Sequence, residues 1–146
     1  MLVRRATLAD LDALLPLVRA YRLFYKQNAD ALGERAFISA RLCDGTTVAY
    51  VAEEGGELLG FTQLFKTYST VHLASAWILE DLFVVPQRRG AGIATALLER
   101  AVGHARADGA SGMFLETAYD NASAQRVYER AGWSREGRFY KYNAPL

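Results

Sequence analysis

Three observations in the 146-residue chain predict an α/β fold class, with a mixed sheet and helices on both faces. A run of β-rich segments in the middle of the chain is joined by a glycine hairpin turn, Glu54-Gly55-Gly56-Glu57, which implies antiparallel pairs. An apolar strand then passes through a second glycine turn into an Ala/Leu-rich stretch, Ile93 to Ala107. A further strand follows that stretch, and strand–helix–strand implies a parallel crossover. The predicted order is β-α-α-β-β-β-α-β-α-β-β over one domain, residues 1–146.

Leu2 to Ala6 reads as a short first strand. Thr7 can cap a helix, with Asp10 at the capping-box position and Asp12 in the first turns. Leu11, Leu14, Leu15 and Val18 then recur at helical spacing. The segment Tyr21 to Tyr25 either extends this helix or begins a loop. A second helix is predicted over Glu34 to Leu42, ended by Asp44-Gly45. Thr47 to Ala52 alternates and is rich in β-branched and aromatic residues, and Leu58 to Phe65 returns after the hairpin. Val71 to Val85 holds a long strand interrupted by the polar pair Glu80-Asp81. In Ile93 to Ala107 the residues Ala94, Leu97, Leu98, Ala101, Val102 and Ala105 form one apolar stripe, stopped by Asp108-Gly109. Met113 to Thr117 is a strand, Asn121 to Ala131 a short helix stopped by Gly132, and Trp133 onward is extended, with Phe139 to Tyr142 as the last strand.

Composition narrows the function classes. Seventeen Lys and Arg against 16 Asp and Glu leave a net charge of +1, which does not point to nucleic acid or a membrane surface. One cysteine, Cys43, allows no intrachain disulfide and fits a reducing compartment; it reads as a small semi-buried residue. No signal peptide or long apolar run is visible, so a soluble, cytoplasmic protein is expected. His72 and His104 are isolated in the sequence and read as surface groups, so no metal is expected.

The turn Gln87-Arg88-Arg89-Gly90-Ala91-Gly92 lies between the strand Leu82 to Pro86 and the helix from Ile93. Two glycines let backbone N–H groups converge on a ligand, and the helix start adds unpaired donors and a partial positive charge. This is an anion cradle, best suited to phosphate. A P-loop would need Lys-Ser/Thr after the second glycine, and a dinucleotide fingerprint a third Gly or Ala; neither is present. A ligand-free tight turn is the alternative.

The six residues fit the pattern Gln/Arg-x-x-Gly-x-Gly/Ala at every fixed position, and so resemble the pyrophosphate loop of the GNAT N-acetyltransferases. A second motif, Asn121-x-x-Ala124-x-x-x-Tyr128-x-x-x-Gly132-Trp133, is similar to a GNAT pattern in the same place. The resemblance covers nearly the whole chain, and only Tyr21 to Leu42 matches loosely. It implies a GNAT-like acyl-CoA N-acyltransferase fold, acetyl-coenzyme A as co-substrate and a homodimer. The strand Leu79-Glu80-Asp81-Leu82-Phe83-Val84 further resembles the polyamine- and histone-type acetyltransferases.

On that resemblance, backbone groups of Leu82, Phe83 and Val84 or Val85 pair with the pantetheine arm, and an N–H of that strand can stabilise an oxyanion. The pyrophosphate takes N–H bonds from Arg88, Arg89, Gly90, Ala91, Gly92, Ile93 and Ala94, with Thr95 near the helix start, while Asn121 and Ala124 contact the coenzyme near its arm. The side chains of Arg88 and Arg89 either add a charge-assisted contact or are solvated loop charge. The expected acceptor is a small-molecule amine. An ammonium with pKa ~10.4 is free base in only about one molecule in a thousand at neutral pH, so a carboxylate must take its proton. Glu80 is the first candidate, and Glu116, at the end of the next strand, is another acidic contact for the substrate. Asp81 points to the opposite sheet face unless a bulge intervenes. Phe24 and Tyr25 stand where similar polyamine enzymes carry an acidic contact, and an aromatic rim there would instead favour aromatic or amphipathic amines. Tyr128 would hydrogen-bond or protonate the departing thiolate. A polyamine-like amine competes with a protein lysine or N-terminus as acceptor, and a silent acyl-CoA-binding module is the reading from another class.

Overall fold

Five strands and four α-helices form in the computed structural model, which describes residues 1–146. They divide between two units, Met1–Glu116 and Thr117–Leu146. The first unit holds β1 (Leu2–Arg5), α1 (Leu11–Phe24), α2 (Ala31–Cys43), β2 (Thr47–Glu54), β3 (Glu57–Ser69), β4 (Ala74–Val84), α3 (Ile93–Ala107) and β5 (Met113–Phe114). The second holds α4 (Ala122–Arg130). No helix is long and apolar enough to cross a membrane.

The sheet runs β1-β2-β3-β4-β5, with antiparallel pairs up to β4 and a parallel β4–β5 pair across the α3 crossover. Alternation along β2 sorts its side chains between two helical layers. Ala49 and Val51 join Leu14, Leu17 and Val18 of α1, Ile38 of α2, Phe61 and Phe83 in one core. Tyr50 faces the other way and meets His104 of α3, its hydroxyl 2.9 Å from Nδ1. The α3 stripe packs on that second face and buries Ile93, Leu97, Leu98, Ala101 and Ala105. Burying an apolar side chain of this size is worth about 1.5–3 kcal/mol, so both layers are held chiefly by burial.

Local signals fix the ends of the first elements. The Thr7 N–H donates to Asp10 Oδ2 at 2.8 Å and starts a short 3₁₀ turn ahead of α1. Arg4 clamps the same buried carboxylate at 2.9 and 2.7 Å. Asp30 caps α2 by accepting the Gly33 N–H at 2.9 Å. One turn on, Glu34 is buried and ties α2 to α1 through Arg19 (3.0 Å) and Arg22 (2.7 Å). The aromatic segment from Tyr21 completes α1 as far as Phe24.

A bulge interrupts the β3–β4 ladder. Gln63 lies opposite Asp81, but Leu64 lies opposite Leu79, leaving Glu80 as the extra residue. The bulge reverses which face odd-numbered residues occupy. Trp77 contacts His104 on the α3 side (rings 4.7 Å apart), whereas Phe83 contacts Tyr21 on the α1 side (6.1 Å). Asp81 therefore lies on the α1 side with Phe83.

In the second unit Asn121 caps α4 by accepting the Ala124 N–H at 3.2 Å. The helix ends in a Schellman arrangement. Gly132 adopts φ 88, its N–H bonds to the Glu129 carbonyl at 3.1 Å, and the Trp133 N–H bonds to the Tyr128 carbonyl at 3.0 Å.

Four expectations are corrected. β5 stops at Phe114 rather than Thr117, and the sheet takes in no residue beyond it, so the strands expected after Trp133, including Phe139 to Tyr142, do not form. Aromatic β-propensity has no effect without a ladder to join, and Arg138 instead folds back locally on Glu136 at 3.0 Å. Cys43 is exposed at the last turn of α2 rather than semi-buried. His104 is half-buried between Tyr50 and Trp77 rather than on the surface, because it lies on the packed face of α3.

Candidate active site

The glycine loop is built as a donor row. After a 3₁₀ turn at Pro86–Arg88, Gly90 and Gly92 adopt φ 80 and 79, a left-handed backbone that glycine takes without strain. The N–H groups of Arg88 and Arg89 are already used, bonding to Val85 (3.0 Å) and Pro86 (3.3 Å) carbonyls. Those of residues 90–95 have no backbone or side-chain acceptor, and the first helical bond of α3 runs from Ala96 to Gly92. Six consecutive N–H groups at a helix start fit a phosphate ester. The arginine side chains are engaged elsewhere. Arg88 pairs with Glu54, and Arg89 Nε donates to the Val84 carbonyl at 3.1 Å while its guanidinium lies 5.8 Å from the Phe83 ring centre.

The strand before the loop has an open edge. β4 pairs with β5 only at Trp77–Met113 and Ile78–Phe114, although β4 continues to Val84. The Val85 N–H bonds to Leu59 at 2.9 Å on the β3 side. By the alternation of an antiparallel ladder, Phe83 also turns its backbone to β3, while Leu82 and Val84 turn theirs to the open edge. Leu82 and Val84 are thus the residues of the Leu82–Val85 set able to add an extended ligand as a further strand. Gly60 lets β3 pass behind this segment, since a Cβ there would come 2.6 Å from the Phe83 carbonyl oxygen.

At the bulge the two carboxylates separate. Glu80 is exposed, and its carbonyl lies 3.5 Å from the Tyr21 hydroxyl. Asp81 is turned inward and accepts the Gln63 Nε2–H at 2.7 Å. Burial pushes the Asp81 carboxyl up to about 6; the Gln63 amide and Tyr21 hydroxyl oppose this, and the Glu80 charge adds to it. Burial likewise holds the Tyr21 phenol well above its ordinary value, helped by the Asp81 charge. Tyr21 stands edge-on to Tyr25 (5.0 Å), Phe61 (5.8 Å) and Phe83 (6.1 Å). Phe24 and Tyr25 form the outer part of this cluster, 57% and 45% exposed. Glu116 is exposed two residues past β5.

In the second unit, Asn121 and Ala124 share the cap of α4, and Tyr128 is half-buried on that helix, its ring 6.4 Å from Trp133. No group of three or more His, Cys, Asp or Glu side chains is arranged to hold a metal.

The model of the acetyltransferase (GNAT) family matches residues 14–133. The chain belongs to the GNAT acetyltransferase family. It is 41% identical over 142 residues to the uncharacterized N-acetyltransferase YhfO of Bacillus subtilis (strain 168), a match spanning 97% of this chain and 95% of that protein. It is 30% identical over 135 residues to the aminoalkylphosphonate N-acetyltransferase of Salmonella typhimurium strain LT2, 91% of this chain and 84% of that protein. The crystal structure of a probable acetyltransferase superposes with a TM-score of 0.94 at 37% identity, covering 100% of this chain and 98% of that one. The protein is therefore an N-acetyltransferase of GNAT type, and enzymes of this family take acetyl from acetyl-coenzyme A.

Sequence reasoning singled out the Glu80-Asp81 pair but set Asp81 on the opposite sheet face unless a bulge intervened, and it gave Gln63 and Tyr21 no part in the site. The available signals were polar residues in apolar stretches: Gln63 follows Thr62 in β3, and Asp81 precedes Leu82 in β4. Neither signal reveals that a bulge sets them face to face.

Proposed function

We propose that this GNAT enzyme transfers acetyl directly, in one ternary complex, to a small cationic amine of polyamine-like character. The observation that carries the reading is the bulge in β4. It turns the Asp81 carboxylate inward against Tyr21, which packs on Tyr25 and through it on Phe24, and leaves the neighbouring Glu80 exposed. Carboxylates attract an ammonium group, and aromatic faces add a cation–π contribution of roughly 0.5–2 kcal/mol. Glu116, exposed just past β5, would add to the acidic character.

Acetyl-coenzyme A supplies a thioester carbonyl open to attack by an amine. The free N–H groups of residues 90–95 would hold its pyrophosphate, and the open edge at Leu82 and Val84 its pantetheine arm. The side chains of Arg88 and Arg89 would join the pyrophosphate only on leaving Glu54 and the Val84 carbonyl. Glu80, exposed at the bulge, draws the ammonium in and takes its proton. Tyr128 donates a hydrogen bond to the departing sulfur. Free phenol and thiol differ by about 1.5 pKa units, so complete transfer from Tyr128 costs roughly 2 kcal/mol unless the site retunes it. Asn121 fixes the start of the helix that carries Tyr128. The family resemblance also implies a homodimer, which sedimentation tests.

An amine panel tests the reading. Spermidine, phenethylamine and a peptide with a free N-terminal alanine are each offered with acetyl-coenzyme A at several pH values. Preferred acetylation of spermidine supports the proposal. Turnover of the peptide alone would replace the small amine with a protein terminus, and coenzyme binding with no turnover of any amine would sink the acceptor class altogether.

A further inference from the structure

The inward carboxylate at the bulge is oriented from the neighbouring strand. Gln63 Nε2 donates to its side chain at 2.7 Å, and Thr62 Oγ1 donates to its main-chain carbonyl, also at 2.7 Å. Both halves of Asp81 are thus pinned from β3. On the α1 side it faces the Tyr21 hydroxyl, with Tyr25 behind it, and on β4 its charged neighbour is Glu80. Gln63 and Thr62 are uncharged, and none of the ion pairs in the structure includes Asp81. A largely buried carboxylate with anionic and aromatic neighbours and no cation is expensive to ionise. An ammonium group is the partner this arrangement lacks.

We propose that Asp81 is a catalytic residue, the inner carboxylate that removes the proton from the acceptor ammonium, and that Tyr21 and Gln63 are positioning residues that aim it. The inference rests on the amine-acetylation reading and moves proton acceptance from Glu80 to Asp81, leaving Glu80 as the outer carboxylate that collects the cation. One ammonium N–H bond breaks and its proton passes to an Asp81 oxygen, freeing the nitrogen lone pair. That lone pair forms the N–C bond as the C–S bond breaks, and a second nitrogen proton ends on the departing sulfur. The proton on Asp81 then leaves to solvent by way of Glu80. Burial places the Asp81 carboxyl near 6, where it is mostly ionised at pH 7 yet more basic than an exposed aspartate.

The test compares wild type, Asp81→Asn, Glu80→Gln and Tyr21→Phe, using whichever of spermidine, phenethylamine or the alanine peptide the wild type acetylates fastest. The carboxyl carbon of Asp81 is also titrated by NMR in labelled protein without coenzyme. We expect wild-type activity to fall on an acidic limb near pH 6, matched by the NMR titration of Asp81. Asp81→Asn should abolish that limb and lower kcat by about a hundredfold or more. Tyr21→Phe should lower kcat by less than Asp81→Asn does and move the limb and the NMR titration both upward, since the lost hydroxyl favoured the carboxylate. An acidic limb that survives in Asp81→Asn and disappears in Glu80→Gln overturns the inference, as does an Asp81 carboxyl titrating below about 4. A fastest substrate other than spermidine counts against the polyamine reading, while the Asp81 outcome is still read on that substrate.

Discussion

Asp81→Asn is expected to stabilise the protein above neutral pH while it weakens catalysis. The carboxyl titrates at 3.8 in a model peptide and at about 6 when folded, chiefly because burial disfavours its charge. Between these values the folded protein binds more protons at this site than the unfolded chain, so the Asp81 contribution to stability falls as pH rises. Below the unfolded value both states are protonated and the cost vanishes. Above the folded value it is complete, about 3 kcal/mol for a shift of roughly two units. Asparagine is nearly isosteric, keeps an oxygen to accept the Gln63 amide and carries no charge. Urea unfolding should find Asp81→Asn more stable than wild type by about 3 kcal/mol at pH 8 and by only about 1 kcal/mol at pH 4.5. An advantage of equal size at both pH values, or a less stable variant at pH 8, would refute the argument that burial of this charge costs the fold. Residues kept at such a cost are characteristic of functional sites.

Other perturbations separate the donor side from the chemistry. Gly92→Ala places a Cβ in open space but at φ 79, so it should cost about 1–2 kcal/mol of backbone strain, seen as a Tm lower by a few degrees, and weaken coenzyme A binding measured by calorimetry. Glu54→Gln releases Arg88 from its ion pair; coenzyme A affinity should rise by about two- to fivefold at low salt, with the gain fading at high salt, and no change would leave Arg88 outside the pyrophosphate site. Tyr128→Phe should lower kcat by about tenfold or more while coenzyme affinity stays within about twofold. An unchanged kcat would remove Tyr128 from the reaction.

Much of the strand–loop–helix segment was legible in the chain. The two glycines after an apolar strand mark a turn with φ near 80, and Ile93–Ala107 forms as the stripe predicts. Asn121 and Gly132 bound α4 as cap and stop because both signals act through their immediate neighbours. Long-range register was not legible. A strand has a period of two, so one extra residue at Glu80 exchanges the faces of everything beyond it, and the period-2 rule alone misplaces Asp81. The final strands failed for a related reason, since aromatic residues favour a strand only where a partner edge is available.

The sequence by itself determined the class of the fold, the strand–loop–helix cradle and the family, because these rest on short-range pattern: apolar periodicity, glycine dihedrals and helix caps. Only the tertiary structure decided which loop N–H groups are free, that Arg88 and Arg89 are already partnered, and that Asp81 turns into an aromatic enclosure while Glu80 faces solvent. The Arg88 pairing and the setting of Asp81 depend on what distant segments present: the Glu54 carboxylate, the Gln63 amide and the Tyr21 ring. Hydrogen bonding and desolvation act through space, and no local pattern in the chain encodes which groups will meet there.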